Sequence, residues 1–305
     1  MKRILVIRGG ALGDFIVTLP ALKLLREEWP EAHVEVLGYP RIAALALDRY
    51  YLNAVRSVDY GPLSGFFIPQ GVLDPDLMDY FSEFDLIVSY FYDPDGIFRG
   101  NLQRCGGGQL ITWPPQAAAK PAAAHFCAPL VPLGLVPEGF ESRLFPNAED
   151  RAFAASFVED KIPLVAVHPG SGSAAKNWPL ERWSEWGRRF FESGACRPLL
   201  IGGEADEAPM ARFAAEWKRF GVLPARELPL PRLAAVLEKA RLLVGHDSGI
   251  SHLAAAVNTP VVALFGPSDE TVWAPPGKHV RVLRGGETLA DIGVDAVEKA
   301  CRSFF

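Results

Sequence analysis

Apolar residues in the first part of the chain occur as short runs separated by stretches with helical spacing. Residues 2–8 form a β-branched apolar run that ends in Gly9 and Gly10, and residues 14–29 then place apolar side chains three or four positions apart. A second apolar run follows at residues 34–38. The order of strand, glycine turn, helix and strand indicates the first unit of a parallel α/β sheet.

The same alternation continues through the rest of the chain. The apolar runs predict strands at residues 2–8, 34–38, 55–58, 85–89, 108–112, 164–167, 198–201, 242–244 and 261–264. Helical spacing predicts helices at residues 14–29, 42–47, 122–133, 180–192, 206–218, 231–239 and 248–257. Residues 61–75, rich in Gly, Pro and aromatic side chains, are interpreted as a loop.

The chain length and one turn-rich segment predict two domains. A chain of 305 residues exceeds what one hydrophobic core usually organises, and residues 137–150 are the candidate linker. We therefore predict two Rossmann-like, doubly wound parallel-sheet domains, residues 1–150 and 151–305, that face each other across a cleft. Ligands of such sheets bind at the carboxyl ends of the strands. The last helix is a candidate to pack back on the N-terminal domain.

Composition and charge narrow the class of protein. Hydrophobic residues make up 49% of the chain and charged residues 22%, which is typical of a globular α/β protein. A net charge of −5 argues against a nucleic-acid partner. No apolar run has the length of a membrane span, and Arg8 and Asp14 interrupt the apolar start before a signal peptide could form. The four cysteines show no paired spacing, so we expect no metal site and a cytoplasmic location.

The first segment with candidate chemistry lies between the first strand and the first helix. It runs from Arg8 to Asp14 and contains three glycines that let a ligand approach the backbone. It lacks the Gly-x-Gly-x-x-Gly pattern, and no acidic residue ends the second strand, so a dinucleotide site is disfavoured. Asp14 is either a helix residue stabilised by the helix dipole or a catalytic carboxylate.

The second and third segments each follow a strand of the C-terminal half. Residues 168–179 combine glycines, Ser171, Ser173 and Lys176, a composition that can cradle phosphate, although a solvated loop is the alternative. In residues 244–256, Ser248 and Gly249 would occupy the first turn of a helix, where free N–H groups attract an anion.

For the third segment a structural interpretation is also open. Asp247 would then be a helix N-cap and His252 a partly buried helix residue rather than ligand-binding groups.

Two further segments end strands of the same half. Glu204, after Gly202 and Gly203, is placed where a carboxylate can accept hydrogen bonds from ribose hydroxyls, or else caps a surface helix. Residues 264–269 either line the same pocket or form a tight turn.

Taken together, these segments resemble the ADP-heptose:lipopolysaccharide heptosyltransferase family, glycosyltransferase family 9. The resemblance lies in residues 4–22, with Gly13-Asp14-Phe15-Ile16-Val17-Thr18-Leu19-Pro20, in residues 168–179, and in residues 247–256 followed by Phe265-Gly266-Pro267. It covers nearly all of the second domain and the beginning of the first. Between residues 39 and 150 the similarity is loose.

The resemblance implies a GT-B fold and an inverting, metal-independent transfer of a sugar, heptose above all, from an ADP-sugar to a hydroxyl of a lipopolysaccharide-core or related glycan. The C-terminal domain would bind the donor and the N-terminal domain the acceptor. By resemblance, Asp14 is the catalytic aspartate and Lys176 the residue that contacts phosphate. The donor-binding residues would be Ser171, Gly172, Ser173, Glu204, Asp247, Ser248, Gly249 and His252. Glu207 is the alternative to Glu204 for the donor ribose, and no cofactor is implied.

The chemistry of these residue types agrees with that assignment. A hydroxyl that attacks an anomeric carbon must lose a proton, which Asp14 can accept as a general base. Charge that develops on the leaving diphosphate is stabilised by fixed N–H groups and by Lys176. Arg8 and Gly13 are candidate acceptor-binding residues. Arg8 would touch the acceptor, hold the base ionised, or be a simple surface arginine.

The same sequence leaves two other functions open. The alternatives are another GT-B enzyme, such as a sugar-nucleotide epimerase, and a non-catalytic nucleotide-sugar-binding protein. We expect a monomer that makes at most weak peripheral contact with the inner face of the inner membrane, because neither a lipidation motif nor a long basic amphipathic helix is found. Arg99, Arg104 and Lys120 are candidates for contact with an anionic acceptor.

Overall fold

The computed structural model describes residues 1–158, 162–203 and 206–305. By its internal contacts the chain divides into two compact units, Met1–Phe140 and Glu141–Phe305. Each unit contains one parallel sheet with helices in its crossover connections. The predicted fold class of two doubly wound parallel sheets is therefore confirmed.

The first unit contains a sheet of five parallel strands. The strands are β1 (Arg3–Arg8), β2 (His33–Gly38), β3 (Ala54–Ser57), β4 (Leu86–Ser89) and β5 (Gln109–Thr112). The helices are α1 (Leu12–Ile16), α2 (Leu19–Glu28), α3 (Pro40–Ala43), α4 (Pro75–Ser82), α5 (Ile97–Arg104) and α6 (Ala122–Cys127), with 3₁₀ helices at Gly61–Phe67 and Ala128–Leu133. The spatial order β3-β2-β1-β4-β5 reverses direction between β1 and β4. Ligands of doubly wound sheets bind at such a reversal.

The central strand is buried because helices cover both faces of a parallel sheet. Residues Ile4, Leu5, Val6 and Ile7 of β1 are all at most 1% exposed. A strand buried on both faces has a continuous apolar run rather than an alternating one. The apolar start of the chain is therefore the centre of the first sheet.

The single helix predicted over residues 14–29 is wrong. The structure has two helices, α1 and α2, separated at Val17 and Thr18, with Pro20 in the first turn of α2. Proline has no N–H to donate and is tolerated only in the first turn of a helix. The break leaves α1 as a short helix whose first turn carries Asp14.

The second unit contains a sheet of six parallel strands. The strands are β6 (Leu164–His168), β7 (Arg197–Gly202), β8 (Leu223–Arg226), β9 (Leu242–His246), β10 (Val261–Phe265) and β11 (Val280–Arg284). The helices are α7 (Ala148–Phe157), α8 (Leu180–Phe191), α9 (Glu207–Glu216), α10 (Leu230–Glu238), α11 (Gly249–Ala256), α12 (Glu270–Trp273) and α13 (Val294–Arg302). Short 3₁₀ helices lie at Ala174–Lys176, Lys218–Phe220 and Leu289–Asp291. The order β11-β10-β9-β6-β7-β8 reverses between β6 and β9.

An aromatic cluster forms the core on one side of the second sheet. Trp178, Trp183, Trp186 and Trp217 are at most 1% exposed and pack with apolar side chains of the strands. The last helix, α13, belongs to this unit and adds Val297 and Cys301 to the same cluster. Among the described residues, no helix is both long and apolar enough to span a bilayer.

The segment between the two sheets is attached to the second one. The N–H of Leu144 donates to the carbonyl of Ala256 over 2.8 Å, and Arg143 donates to Oδ1 of Asn258 over 2.9 Å. Asn147 then caps α7 by accepting a hydrogen bond from the N–H of Asp150. The structure consequently divides the chain after Phe140, earlier than the predicted boundary at residue 150.

Candidate functional site

The loop after β1 holds the carboxylate of Asp14 against its own backbone. Oδ2 of Asp14 accepts a hydrogen bond from the N–H of Ala11 over 2.9 Å. The preceding Gly10 has φ +97°, and a Cβ there would lie 2.7 Å from Oδ2 of Asp14. Glycine is therefore required at position 10, both for the left-handed backbone and for the space that the carboxylate occupies.

Arg8, the last residue of β1, orients Asp14 from the other side. It is 4% exposed, and its guanidinium donates to Oδ1 and to the carbonyl of Asp14 over 3.4 and 3.1 Å. It also donates to Oγ1 of Thr18 over 3.0 Å and lies 4.4 Å from the ring centroid of Phe126. Burial lowers the pKa of Arg8, and the negative charge of Asp14 opposes this shift. Arg8 is therefore not a surface arginine, and its contacts orient the carboxylate of Asp14.

Asp14 combines this fixed orientation with access to solvent. Its side chain is 32% exposed although its partner Arg8 is buried. A general base must hold one orientation and also reach the proton that it accepts. Gly13, the other candidate acceptor-binding residue of this loop, lies in the first turn of α1 beside Asp14.

In the second unit, the loops after β6 and β9 meet at the reversal of strand order. These strands are neighbours, with His168 paired to Gly245. Nζ of Lys176 lies 2.6 Å from Oδ2 of Asp247, and the side chains are 36% and 10% exposed. The N-cap of α11 is Ser248, so the alternative interpretation of Asp247 as a helix N-cap is wrong. Asp247 instead fixes Lys176 at the carboxyl end of the sheet.

The N-terminus of α11 has no side-chain cap. Ser248 has an extended backbone, and its hydroxyl makes no capping hydrogen bond. Its Oγ lies 3.4 Å from Nδ1 of His168 instead. Because the first N–H groups of a helix have no partner within the helix, the N-terminus at Gly249 can bind an anion such as a diphosphate.

His168 and Asp206 form a buried pair beside this helix end. Nε2 of His168 lies 3.6 Å from Oδ2 of Asp206, which also accepts the N–H of Gly203 over 3.0 Å. Burial raises the pKa of Asp206, but the hydrogen bonds from His168 and Gly203 outweigh it and hold that pKa below its ordinary value. A side chain at Gly170 would collide with Oδ1 of Asp206, so the loop after β6 must carry glycine at this position.

His246, the last residue of β9, joins the two ends of the loop after β6. Its Nε2 accepts the N–H of Trp178 over 2.8 Å, and its Nδ1 lies 2.9 Å from the carbonyl of Gly170. One nitrogen must accept and the other donate, which assigns the neutral Nδ1–H tautomer. Burial is the main cause that lowers the pKa of His246 to about 4. The ring is therefore neutral near pH 7 and restrains residues 170–178.

Between these two ends the loop is exposed and organised by its own hydroxyls. Oγ of Ser171 donates to the carbonyl of Ser173 over 2.6 Å and accepts the N–H of Ser173 over 3.2 Å. Nothing surrounds the position where Gly172 would carry a side chain. The loop thus presents backbone and hydroxyl groups to solvent beside Lys176, an arrangement suited to phosphate.

Of the remaining predicted donor residues, one is largely buried and one lies outside the described structure. His252 is 6% exposed in α11, one turn after the helix N-terminus. Glu204 lies outside the described residues, whereas Glu207, the alternative to it, begins α9. Within residues 1–158, 162–203 and 206–305, no group of three or more His, Cys, Asp or Glu side chains is arranged to hold a metal ion.

Sequence reasoning missed three residues of this arrangement, and each had a weak signal. His168 directly follows the predicted strand at residues 164–167, His246 comes two residues after the predicted strand at residues 242–244, and Asp206 comes shortly after the predicted strand at residues 198–201. Polar residues at the carboxyl ends of adjacent parallel strands are candidates for a shared site. Which of these residues lie together depends on the order of the strands in the sheet, and that order cannot be read from the sequence alone.

Comparison with known proteins identifies the family. The model of glycosyltransferase family 9 (heptosyltransferase) matches residues 126–299. Lipopolysaccharide heptosyltransferase 3 of Escherichia coli is 45% identical over 292 residues, 86% of this chain and 83% of that protein. Among solved structures, a family 9 glycosyltransferase from Veillonella parvula aligns with a TM-score of 0.82 and 21% identity, over 99% of this chain and 97% of that one.

A second solved structure, the E. coli heptosyltransferase WaaC with ADP, aligns with a TM-score of 0.78 and 19% identity, over 99% of this chain and 100% of that one. The two structural alignments agree with the arrangement of two parallel-sheet units. The family model covers more than half of the chain and includes both loops that meet beside Lys176. The chain belongs to glycosyltransferase family 9, the heptosyltransferase family, and is a glycosyltransferase.

Proposed function

We propose that this glycosyltransferase moves a heptose, with inversion and without a metal ion, from an ADP-heptose donor to a hydroxyl of a lipopolysaccharide-core acceptor. The second unit would bind the donor, the first unit would bind the acceptor, and Asp14 would be the general base. ADP is the nucleotide bound to the E. coli relative described above.

The observation that carries the proposal is the cluster at the end of β6 and β9. Lys176 is held 2.6 Å from Asp247, beside the uncapped N-terminus of α11 and the exposed loop at Ser171. A lysine, a helix N-terminus and loop N–H groups are the elements that stabilise phosphate charge in proteins. In this proposal they bind the diphosphate of the donor before and after transfer.

The transfer would be a single displacement at the anomeric carbon. The acceptor oxygen forms the new bond to that carbon while its proton passes to Oδ1 or Oδ2 of Asp14. The bond between the anomeric carbon and the diphosphate oxygen breaks, and its electron pair leaves with ADP. Lys176 and the α11 N–H groups stabilise the charge that develops on this oxygen. One displacement inverts the configuration, and Arg8 keeps Asp14 in position for it.

The proposal extends to the place where the enzyme works. A lipopolysaccharide-core acceptor is carried on a lipid, so a monomeric enzyme in the cytoplasm would meet it by weak peripheral contact with the inner membrane. Binding to vesicles that contain the acceptor, and its loss in vesicles without it, would support this extension. No binding to either kind of vesicle would contradict it.

A transfer assay tests the central proposal. A panel of nucleotide sugars is first compared by thermal shift, in which the bound donor raises the unfolding temperature. The best donor is then incubated with deacylated lipopolysaccharide core, and NMR of the product gives the anomeric configuration. We expect ADP-heptose to stabilise most, turnover to persist with a chelator, and the product to be inverted. Epimerised sugar in the absence of acceptor would contradict the proposed transfer. Retained configuration would contradict inversion, and loss of turnover with the chelator would contradict a reaction without a metal ion.

A further inference from the structure

Ser248 occupies the N-cap of α11 but does not cap the helix. Serine is among the residues preferred at a helix N-cap, where its hydroxyl accepts a hydrogen bond from an N–H group of the first turn. The backbone of Ser248 is extended, at φ −154° and ψ 161°, as is usual for an N-cap. Its hydroxyl nevertheless makes no such bond and lies 3.4 Å from Nδ1 of His168. The backbone permits a cap, so the contact with His168 accounts for its absence.

We propose that His168, held by Asp206, is a positioning residue of the donor site, which keeps the hydroxyl of Ser248 away from α11 and leaves the first N–H groups of that helix free for the donor diphosphate. The inference rests on the proposed function, because it concerns the helix end to which that proposal assigns the diphosphate. Gly249 and Ile250, which carry these N–H groups, are both partly exposed. A serine that capped α11 would take up an N–H group that a phosphate oxygen needs. Capping by Ser248 and binding of the diphosphate therefore compete.

The ring of His168 has a partner on each of its two nitrogens. Nε2 lies 3.6 Å from Oδ2 of Asp206, and Nδ1 faces the hydroxyl of Ser248. The pKa of Asp206 is held below its ordinary value, so this carboxylate is ionised near pH 7. An ionised carboxylate can only accept, which favours the proton on Nε2 of the neutral ring. Nδ1 is then the acceptor, and the hydroxyl of Ser248 turns towards it rather than towards α11.

The position of this ring is set by the second sheet. His168 is the last residue of β6, pairs with Gly245 of β9, and is 6% exposed. Asp206 is 8% exposed, and its Oδ2 also accepts the N–H of Gly203, just after β7, over 3.0 Å. The ring is thus connected to the ends of three strands, and only its Nδ1 side faces α11. A side chain restrained in this way can hold a hydroxyl without being displaced by it.

Two amide substitutions of His168 separate its two contacts. In His168→Asn the amide lies near the position of Nδ1 and can still hold the hydroxyl of Ser248. In His168→Gln the amide extends towards the position of Nε2, so it keeps the contact with Asp206 but releases Ser248. We expect His168→Gln to lower the affinity for ADP about fivefold, the equivalent of a helix cap of about 1 kcal/mol, and His168→Asn to lower it by less than about twofold. Calorimetric titration with ADP measures both.

Removal of the serine hydroxyl distinguishes positioning from a general structural role. Once Ser248→Ala is present, the competing hydroxyl is gone, so the addition of His168→Gln should cost no further ADP affinity. A role of His168 that does not act through Ser248 would give the same loss with and without Ser248→Ala.

Amide hydrogen exchange at Ile250 reports the cap itself, and NMR measures it in the absence of ADP. Exchange should be slower in His168→Gln than in the wild type, because Ser248 then caps α11, and Ser248→Ala should reverse this change. His33→Gln is the matched control, since Nε2 of His33 lies 3.4 Å from Oε2 of Glu35 in the first unit. It loses a similar contact between a histidine and a carboxylate, and its ADP affinity should equal that of the wild type.

Three results would each overturn the inference. His168→Gln could bind ADP as the wild type does, His168→Asn could lose as much affinity as His168→Gln, or the loss could persist in the presence of Ser248→Ala. A wild type that binds no ADP would overturn the donor site and this inference together. A wild type that binds ADP but transfers no heptose would contradict only the proposed function.

Discussion

The backbone N–H of Trp178 donates to Nε2 of His246 over 2.8 Å, and this bond fixes one end of the loop that carries Lys176. The other end is fixed by the same ring, whose Nδ1–H donates to the carbonyl of Gly170 over 2.9 Å. A single neutral imidazole thereby restrains both ends of an exposed loop. The position of Lys176 depends on a residue that need not touch the donor.

His246→Phe should weaken donor binding without removing any group proposed to touch the donor. Both loop hydrogen bonds are lost, and buried polar groups left without a partner cost about 1–3 kcal/mol in the free energy of unfolding. We expect ADP affinity to fall about threefold to tenfold, a loss of the size of one neutral hydrogen bond. Urea unfolding and calorimetric titration with ADP measure the two effects. Unchanged ADP affinity in a folded His246→Phe would contradict the positioning role.

The same residue predicts how stability depends on pH. Burial lowers the pKa of His246 from 6.5 to about 4 in the folded protein, so the unfolded chain binds a proton at a higher pH than the folded chain does. The contribution of His246 is therefore complete above pH 6.5 and is lost as the pH falls towards 4. The expected loss in the free energy of unfolding is about 3 kcal/mol.

A comparison with His246→Asn isolates this pH effect. His168, Asp206 and Asp247 also act electrostatically on His246, and Asp206, whose pKa is lowered below 3.8, adds its own loss at lower pH. Urea midpoints measured between pH 7 and pH 4 should fall more steeply for the wild type than for the variant. Parallel curves would show that His246 is not held neutral by the fold.

Asp14→Asn should remove most of the turnover and keep the donor site. The amide occupies the same space and retains a hydrogen-bond acceptor, but it cannot accept the proton of the acceptor hydroxyl. General-base catalysis contributes about 10²-fold to 10⁴-fold, so we expect kcat to fall by this factor. ADP affinity should stay the same. Asp59→Asn, an exposed carboxylate of the same unit, is the matched control, and near-normal kcat in Asp14→Asn would reject the proposed base.

Lys176→Met should weaken diphosphate binding and slow transfer together. The variant keeps the length of the side chain but loses its charge, and a hydrogen bond to a charged group contributes about 1.5–3 kcal/mol. We therefore expect ADP affinity to fall roughly tenfold to a hundredfold. Lys239→Met, an exposed lysine between α10 and the amino end of β9 and so away from the carboxyl strand ends beside which Lys176 lies, should have no effect. Asp247→Asn, which leaves Lys176 charged but unpaired, should give a smaller loss than Lys176→Met.

Gly10→Ala should displace the carboxylate of Asp14. A Cβ at this position would lie 2.7 Å from Oδ2 of Asp14, the mobile end of that side chain, so the carboxylate must move. We expect kcat to fall at least tenfold, since a general base acts only within hydrogen-bond reach of the proton. Gly134→Ala also has a positive φ, +84°, but meets nothing within 4 Å. Gly134→Ala should lose about 1–2 kcal/mol of stability from the backbone alone. Gly10→Ala should lose at least as much, and only Gly10→Ala should lose turnover.

Much of the fold could be predicted because the buried strands are continuous apolar runs. Residues 4–7 and 242–244 are examples, and both lie at the centre of their sheets. The strands that were missed, β8 and β11, lie at the edge of the second sheet, and Pro224 interrupts the apolar pattern of β8. An edge strand is half exposed and so lacks a continuous apolar run, and Pro is tolerated there because a ladder hydrogen bond is not needed on the outer side.

The sequence predicted those residues of the candidate site whose own segment has a recognisable local pattern. Lys176 and Ser248 were identified from the composition of their loops and from their position after strands. The pairing of Lys176 with Asp247 and the closure of the loop by His246 join residues far apart in the sequence. Such contacts follow from β6 and β9 being neighbours in the sheet, a fact of strand order rather than of local pattern.

The aromatic cluster provides an intrinsic fluorescence probe for the unfolding of the second unit. Four of its seven tryptophans, Trp178, Trp183, Trp186 and Trp217, are almost fully buried in that one core. Their emission should therefore be blue-shifted in the native state and should move to longer wavelength when the second sheet unfolds. Circular dichroism follows both sheets, so a difference between the two signals in a denaturant titration would reveal whether the two sheets unfold together or one after the other.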